Sequence, residues 1–318
     1  MLQLVWERRP TYNNTSSISK NKLYTWIKLI YYILFAVAYG MVGSLSDIIL
    51  VNSTWTYNHI SYLWRFRGLY TWISRIVRQR DDDKINIVYP PCDISSVVNT
   101  SIKNEEGQIN NSRRNNIISI GQFRPEKDHA KQIKSFAKLL LSSNDTMSNI
   151  PNDVKLILIG SCRNEADYNR VVELRDLAFK ILRLPQTRVE FVINEPYQVL
   201  QHLMATSLIG LHTMWNEHFG ISVVEMMSNG LITIGHNSGG PKSDIITVPS
   251  SSNKCIQRTG FLANTEEEYE QAFIDIFNLN DEECDKIRHA AKTSCERFSD
   301  EIFIHEFKYY LTKIIQLN

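Results

Sequence analysis

A chain of 318 residues, 43% of them hydrophobic, can bury one large core or two moderate ones, and at about 100 to 200 residues per domain it is long enough for two. Its 35 basic and 34 acidic side chains leave a net charge of +1, so no overall field gathers nucleic acid and any phosphate recognition has to be local. The five cysteines (Cys92, Cys162, Cys255, Cys284 and Cys295) are odd in number and never in CxxC spacing. That argues against a disulfide framework and a zinc site and fits a reducing compartment; sequons such as Asn52-Ser53-Thr54 arise by chance in a chain rich in Asn and Ser and carry little weight.

The opening MLQLVWERRP lacks the basic start, apolar core and small-residue site of a cleavable signal, so none is expected. Ile27 to Gly43 is a run of 17 residues with Lys28 as its one charge, at the lower limit for crossing a bilayer. Three readings stay open for it: a span, a buried core helix, or a helix resting its Tyr- and Phe-rich face on a membrane surface. The strand-like DIILVNST follows, then a helix from His59 to Arg67, then the strand INIVYPP. One helix and two strands cannot close a core around a sheet, so residues 1–92 read as the second half of an α/β domain, truncated at its amino end. Pro90-Pro91 ends that strand, and the polar stretch 93–115 reads as a linker with an insertion.

From Asn116, apolar runs of strand length (NIISIGQF, VKLILIGSC, VEFVINE, SLIGLHT, LITIGHNSGG) alternate with helical patterns. Near-continuous apolar strands separated by helices predict a doubly wound parallel sheet over 116–299. Ile133, Phe136, Ala137 and Leu140 make one stripe in a helix from His129 to Ser142, and a second long helix is expected from Ala166 to Ile181. Residues 300–318 close the chain as a terminal helix.

In such sheets ligands bind beyond the carboxyl ends of the strands, so the residues just after each strand carry the chemistry. GQFRPEKDH puts Arg124 and Lys127 beside a helix start, as a diphosphate clamp or as ordinary loop charges. HTMWNEHFGISVVEMMSNG puts Glu217 before a helix that opens at Gly220, with Ile221, Val224 and Met227 as its expected buried stripe and Glu225 more than a turn along. Glu225 is suited to two ribose hydroxyls, and Glu217 to the hydroxyls of a sugar whose phosphate rests on the Gly220 and Ile221 amides. The plain alternative is a capping residue and an outward helical glutamate. In HNSGGPKSD, Gly239 and Gly240 allow close backbone approach and Pro241 can open a helix.

Three other patterns lead elsewhere. Asp81-Asp82-Asp83 contains a DxD but sits among Arg78, Arg80 and Lys84, as a solvated turn would. His212, Glu217 and His218 lack the HExxH spacing of a zinc helix, and the chain has neither a GxSxG elbow nor a Walker loop.

Taken together, ISIGQFRPEKDH, NEHFGISVVEMMSNG with its glutamates eight apart, HNSGGPKSDI, YPPCDI and KLIYYILFAVAYGMVGS resemble the retaining two-domain GT-B glycosyltransferases of family 4. The closer likeness is to the branch that moves mannose in alpha-1,2 linkage. The resemblance implies two Rossmann-like domains, with GDP-mannose as donor and a dolichyl-diphosphate-linked oligosaccharide as acceptor. It implies a place at the cytosolic face of the endoplasmic reticulum membrane, with other mannosyltransferases of that pathway as neighbours and no nucleic acid partner. It also implies that Arg124 and Lys127 hold the diphosphate, Glu217 the hexose and Glu225 the ribose. No metal and no cofactor are expected, because fixed cations and helix amides can hold the leaving diphosphate. Family 4 enzymes with UDP- or ADP-sugar donors, and a nucleotide-binding product without turnover, are the alternatives.

Overall fold

The computed structural model describes residues 21–44, 46, 48–64, 85–94, 113–142, 150–247 and 257–317. The triplet Asp81-Asp82-Asp83 and most of the expected linker lie outside them. The chain divides into two units, residues up to Pro90 together with Glu301–Asn318, and Pro91–Asp300. The terminal helix therefore groups with the first unit.

In the first unit, helix α1 (Lys22–Ser44) leads to strand β1 (Ile49–Val51), helix α2 (Thr54–Leu63) and strand β2 (Ile85–Ile87). β1 and β2 pair in parallel, Leu50 opposite Asn86. α2 starts five residues before the His59 expected from sequence, because Ser53 caps it: its Oγ accepts the Thr56 amide at 3.1 Å. α1 runs 23 residues, about 34 Å at 1.5 Å per residue. Thr25, Leu29, Gly40 and Gly43 are its buried positions, whereas Leu23, Trp26, Ile30, Leu34, Phe35 and Val42 are each more than half exposed. Most of the apolar surface of α1 is thus uncovered among the described residues. Gly43 is required where α1 meets Trp64: a Cβ there would lie 2.2 Å from the indole. Helix α9 (Asp300–Leu317) belongs to this unit from Glu301 on.

The second unit is a six-stranded, fully parallel sheet. Its elements are β3 (Arg114–Ile120), α3 (His129–Ser142), β4 (Lys155–Gly160), α4 (Glu165–Arg175), β5 (Val189–Ile193), α5 (Tyr197–Thr206) and β6 (Ser207–Leu211). They continue through α6 (Ile221–Ser228), β7 (Ile232–His236), β8 (Phe261–Ala263), α7 (Glu266–Phe277) and α8 (Asp281–Cys295). The expected second long helix is present, but its last six residues, Asp176–Ile181, widen into a π turn. Strand order is β5-β4-β3-β6-β7-β8. The chain starts in the middle, winds outward through β4 and β5, returns beside β3 as β6, and winds out on the other side. The crevice between β3 and β6 is thus the topological switch point, where open parallel sheets bind ligands.

Both faces of the sheet are covered. Ile117, Leu156 and Leu158 point with Phe123, Ile133, Phe136 and Leu139 into the larger core. Their strand neighbours Ile118 and Ile157 point the other way, onto Met204, Met226 and Leu231. This period of two inside unbroken apolar runs is what a strand buried on both faces requires. Each such side chain contributes about 1.5 to 3 kcal/mol relative to exposure.

Candidate active site

The loop after β3 turns sharply and sets its two cations. Arg124 is extended and precedes a single 3-10 turn, Pro125–Lys127, and Asp128 closes that turn in the left-handed region at φ 50°. Arg124 reaches Glu126 at 3.8 Å. Next along, His129 opens α3, buried and stacked on Phe123 with ring centroids 5.0 Å apart. Burial, then the Lys127 and Arg170 charges, pull its pKa down to about 3, so the helix start carries a neutral imidazole that leaves the local cations to other partners.

The loop after β6 crosses to meet this turn. Thr213 Oγ1 donates to the Lys127 carbonyl at 2.8 Å and accepts from Gln132 Nε2 at 2.8 Å, which ties the β3 and β6 loops together across the switch point. Glu217 then places Oε2 2.6 Å from Lys127 Nζ and 3.3 Å from His212 Nε2. Its side chain is 17% exposed. Burial pushes the carboxyl upward, but the His212 hydrogen bond and the Lys127 charge outweigh it and hold the group down at about 2. Glu217 is therefore a fixed anion at neutral pH.

Gly220 follows at φ 113° and caps α6, a conformation that only glycine adopts without strain. Its carbonyl accepts the Val223 and Val224 amides at 2.9 and 3.3 Å, so α6 begins here with its first-turn N–H groups facing outward from the helix end. Ile221 corrects the expected stripe. It is 44% exposed, and the buried face is formed by Val223, Val224, Met226 and Met227, because the first helical residue stands at the open mouth of the loop. Glu225 lies one turn further and is half-buried. Burial and the Asp93 charge raise its pKa, since both disfavour a second negative charge there.

The Gly239–Gly240 turn after β7 packs on the Glu217 loop. The Gly240 amide donates to the Glu217 carbonyl at 2.8 Å, and Ser238 Oγ accepts the Asn216 amide at 2.8 Å. Gly239 sits at φ 61°, and a Cβ on it would come 2.2 Å from the Glu217 carbonyl oxygen; on Gly240 it would come 2.2 Å from that of Phe219. The close approach read from the two glycines is therefore, in this structure, an approach to the Asn216–Phe219 loop. Gly239→Ala is expected to destabilise the fold by about 1 to 3 kcal/mol, read as a lowered melting temperature, and to displace the Glu217 loop.

Lys127, Glu217, Gly239 and Gly240 thus meet at one sheet edge, with Gly220 and Ile221 opening the adjoining helix. Arg124 stands on the same loop as Lys127, and Glu225 lies farther down α6. Sequence reasoning missed His212 and Thr213, which hold Glu217 and Lys127. The signal was present, since both directly follow β6, but His212 was weighed only as a zinc ligand. Among the described residues no group of three His, Cys, Asp or Glu side chains is arranged to hold a metal ion.

A turn bearing Arg124 and Lys127, a helix start and two spaced carboxylates thus stand at the carboxyl edge of a doubly wound sheet. The chain belongs to the group 1 glycosyl transferases, whose family pattern it matches over residues 101–294. Residues 1–64 match the family described as ALG11 mannosyltransferase N-terminus. It is similar to the GDP-Man:Man(3)GlcNAc(2)-PP-Dol alpha-1,2-mannosyltransferase of Mus musculus, 44% identical over 318 residues, 99% of this chain and 58% of the relative. The Homo sapiens protein of the same name is 42% identical, again over 99% of this chain and 58% of the relative. The Dictyostelium discoideum one is 37% identical over 99% and 57%. The chain therefore spans somewhat more than half the length of these relatives. Among solved structures it resembles a glycosyltransferase from Rickettsia africae, with TM-score 0.65 and 16% identity over 89% of this chain and 68% of that one. It also resembles Anabaena Alr3699/HepE in complex with UDP and glucose, with TM-score 0.61 and 17% identity over 84% and 64%. These likenesses give the GT-B fold.

Proposed function

We propose that this chain carries the donor site of a retaining alpha-1,2-mannosyltransferase that moves mannose from GDP-mannose onto a dolichyl-diphosphate-linked oligosaccharide. The observation that carries the reading is the Lys127–Glu217 pair at the switch point, seen in a chain that aligns along 99% of its length with relatives bearing that name. In this reading Lys127 and Arg124 take the diphosphate together with the α6 amides, and Glu217 then holds mannose hydroxyls. Glu225 accepts two ribose hydroxyls, which offset the burial that raises its pKa. Charge developing on the departing GDP meets fixed cations and the helix dipole, the role a metal plays in other transferases, so no metal is required. The acceptor attacks from the face that the diphosphate leaves, which retains configuration. A covalent route needs two carboxyls about 5 Å apart across the scissile bond, and in this reading Glu217 and Glu225 have other tasks.

The exposed apolar surface of α1, with Lys28 as the one charge between Leu23 and Ser44, suits contact with the cytosolic face of the endoplasmic reticulum membrane, where a dolichyl-linked acceptor is anchored. Competition among GDP, UDP and ADP for a fluorescent GDP probe tests the donor. GDP is expected to bind at least tenfold more tightly than the other two, and transfer of labelled mannose to a lipid-linked acceptor tests the reaction. Preference for UDP would sink the proposal in favour of another family 4 donor.

A further inference from the structure

Glu217 is gripped through a single oxygen. Both donors that reach it, Lys127 Nζ at 2.6 Å and His212 Nε2 at 3.3 Å, converge on Oε2. Among the described residues no hydrogen bond is made to Oε1. The two donors differ in kind. Lys127 sits on the β3 turn, and an arriving diphosphate carries more negative charge than a carboxylate, so the ammonium is the donor that a nucleotide-sugar draws away. His212 cannot follow. It is 3% exposed, its amide donates to the Ile234 carbonyl at 2.9 Å, and its own carbonyl accepts the hydroxyl of fully buried Tyr269 at 3.0 Å.

The proton on Nε2 follows from the acceptor. An ionised carboxylate offers only lone pairs, so the ring nitrogen facing it must carry the proton. His212 Nδ1 is buried and without a hydrogen-bond partner, so the ring's hydrogen bond is the one to Glu217. A ring donor held at a strand end can orient Glu217 while Lys127 is engaged elsewhere.

On the donor reading above, we propose that His212 is the positioning residue of Glu217: it keeps Oε2 pinned once Lys127 turns to the diphosphate, and so presents Oε1 to a hydroxyl of the donor sugar. His212 acts on the sugar through Glu217 and does not touch the nucleotide.

The test is calorimetric titration of the whole chain with GDP and with GDP-mannose, for wild type, His212→Ala, His212→Gln and His212→Asn, with the melting temperature of each. Losing one hydrogen bond to a charged group corresponds to about tenfold in affinity. His212→Ala is therefore expected to leave GDP affinity within about twofold and to lower the ratio of GDP-mannose to GDP affinity about tenfold. Glutamine can place an N–H where Nε2 stands, so His212→Gln restores most of that ratio; asparagine is too short, and His212→Asn does not. If the alanine variant fails to fold, the glutamine and asparagine variants still decide the matter. Equal losses for GDP and GDP-mannose, or equal behaviour of glutamine and asparagine, would overturn the positioning role and leave the donor site standing. A wild-type chain that binds neither ligand overturns the donor reading, and this inference with it.

Discussion

Glu217→Gln is expected to lower mannosyl transfer by about 10²- to 10³-fold, the range seen when one preorganised polar contact to a reacting group is lost. The substitution conserves shape and removes a charge. Glutamine can still accept from one sugar hydroxyl, but its amide cannot accept from Lys127 and His212 with the strength of an anion whose carboxyl is held down at about 2. GDP binding is expected to stay within about threefold of wild type, because the proposed reading gives the nucleoside and diphosphate to Glu225, Lys127 and Arg124. Binding of GDP and transfer from GDP-mannose, measured on the same preparations, separate the two effects. A variant that retains more than a tenth of wild-type transfer would remove Glu217 from the sugar-binding role.

Lys127→Met should act on the opposite half of the donor. An ammonium in contact with a diphosphate forms a charge-assisted bond, worth about 1.5 to 3 kcal/mol, so GDP affinity is expected to fall about 10- to 100-fold. The substitution also removes the nearest positive charge from a carboxylate that is only 17% exposed. Glu217 then depends on His212 alone, and its pKa should rise toward the ordinary carboxylate range. The binding loss should shrink as salt is raised, since the wild-type contact is electrostatic and the methionine one is not. Equal affinity of Lys127→Met and wild type for GDP at low salt would place the diphosphate elsewhere.

Much of the second unit could be read from the sequence because its strands are buried on both faces. Runs such as VKLILIGSC have no competing explanation once helices flank them, and the helix from His129 to Ser142 was legible to the residue from one apolar stripe. The loops that bring Lys127, Glu217, Gly239 and Gly240 to one sheet edge were legible as well, because each directly follows a strand of the parallel sheet. What periodicity could not supply was the joining of those parts. Nothing in the run HTMWNEH says that His212 and Lys127 meet on one oxygen of Glu217, because one of those partners lies 90 positions away. Ile221 was misjudged for a related reason: a helical stripe extended to the first residue ignores that the first turn faces the loop it emerges from. The start of α2 was missed because a side-chain cap at Ser53, not apolar spacing, determines where that helix begins.

The position of the Lys127–Glu217 pair on either side of the switch point also bears on how the chain acquires its site. β4, β5 and their helices lie between the two residues, so closing that contact means closing a loop of 90 residues, among the slower events of folding. Each half of the sheet can form its local strand-helix pairs while the crevice between β3 and β6 is still open. On the proposed donor reading, a donor held by both Lys127 and Glu217 would act as a bolt across the seam where the two halves of the sheet join.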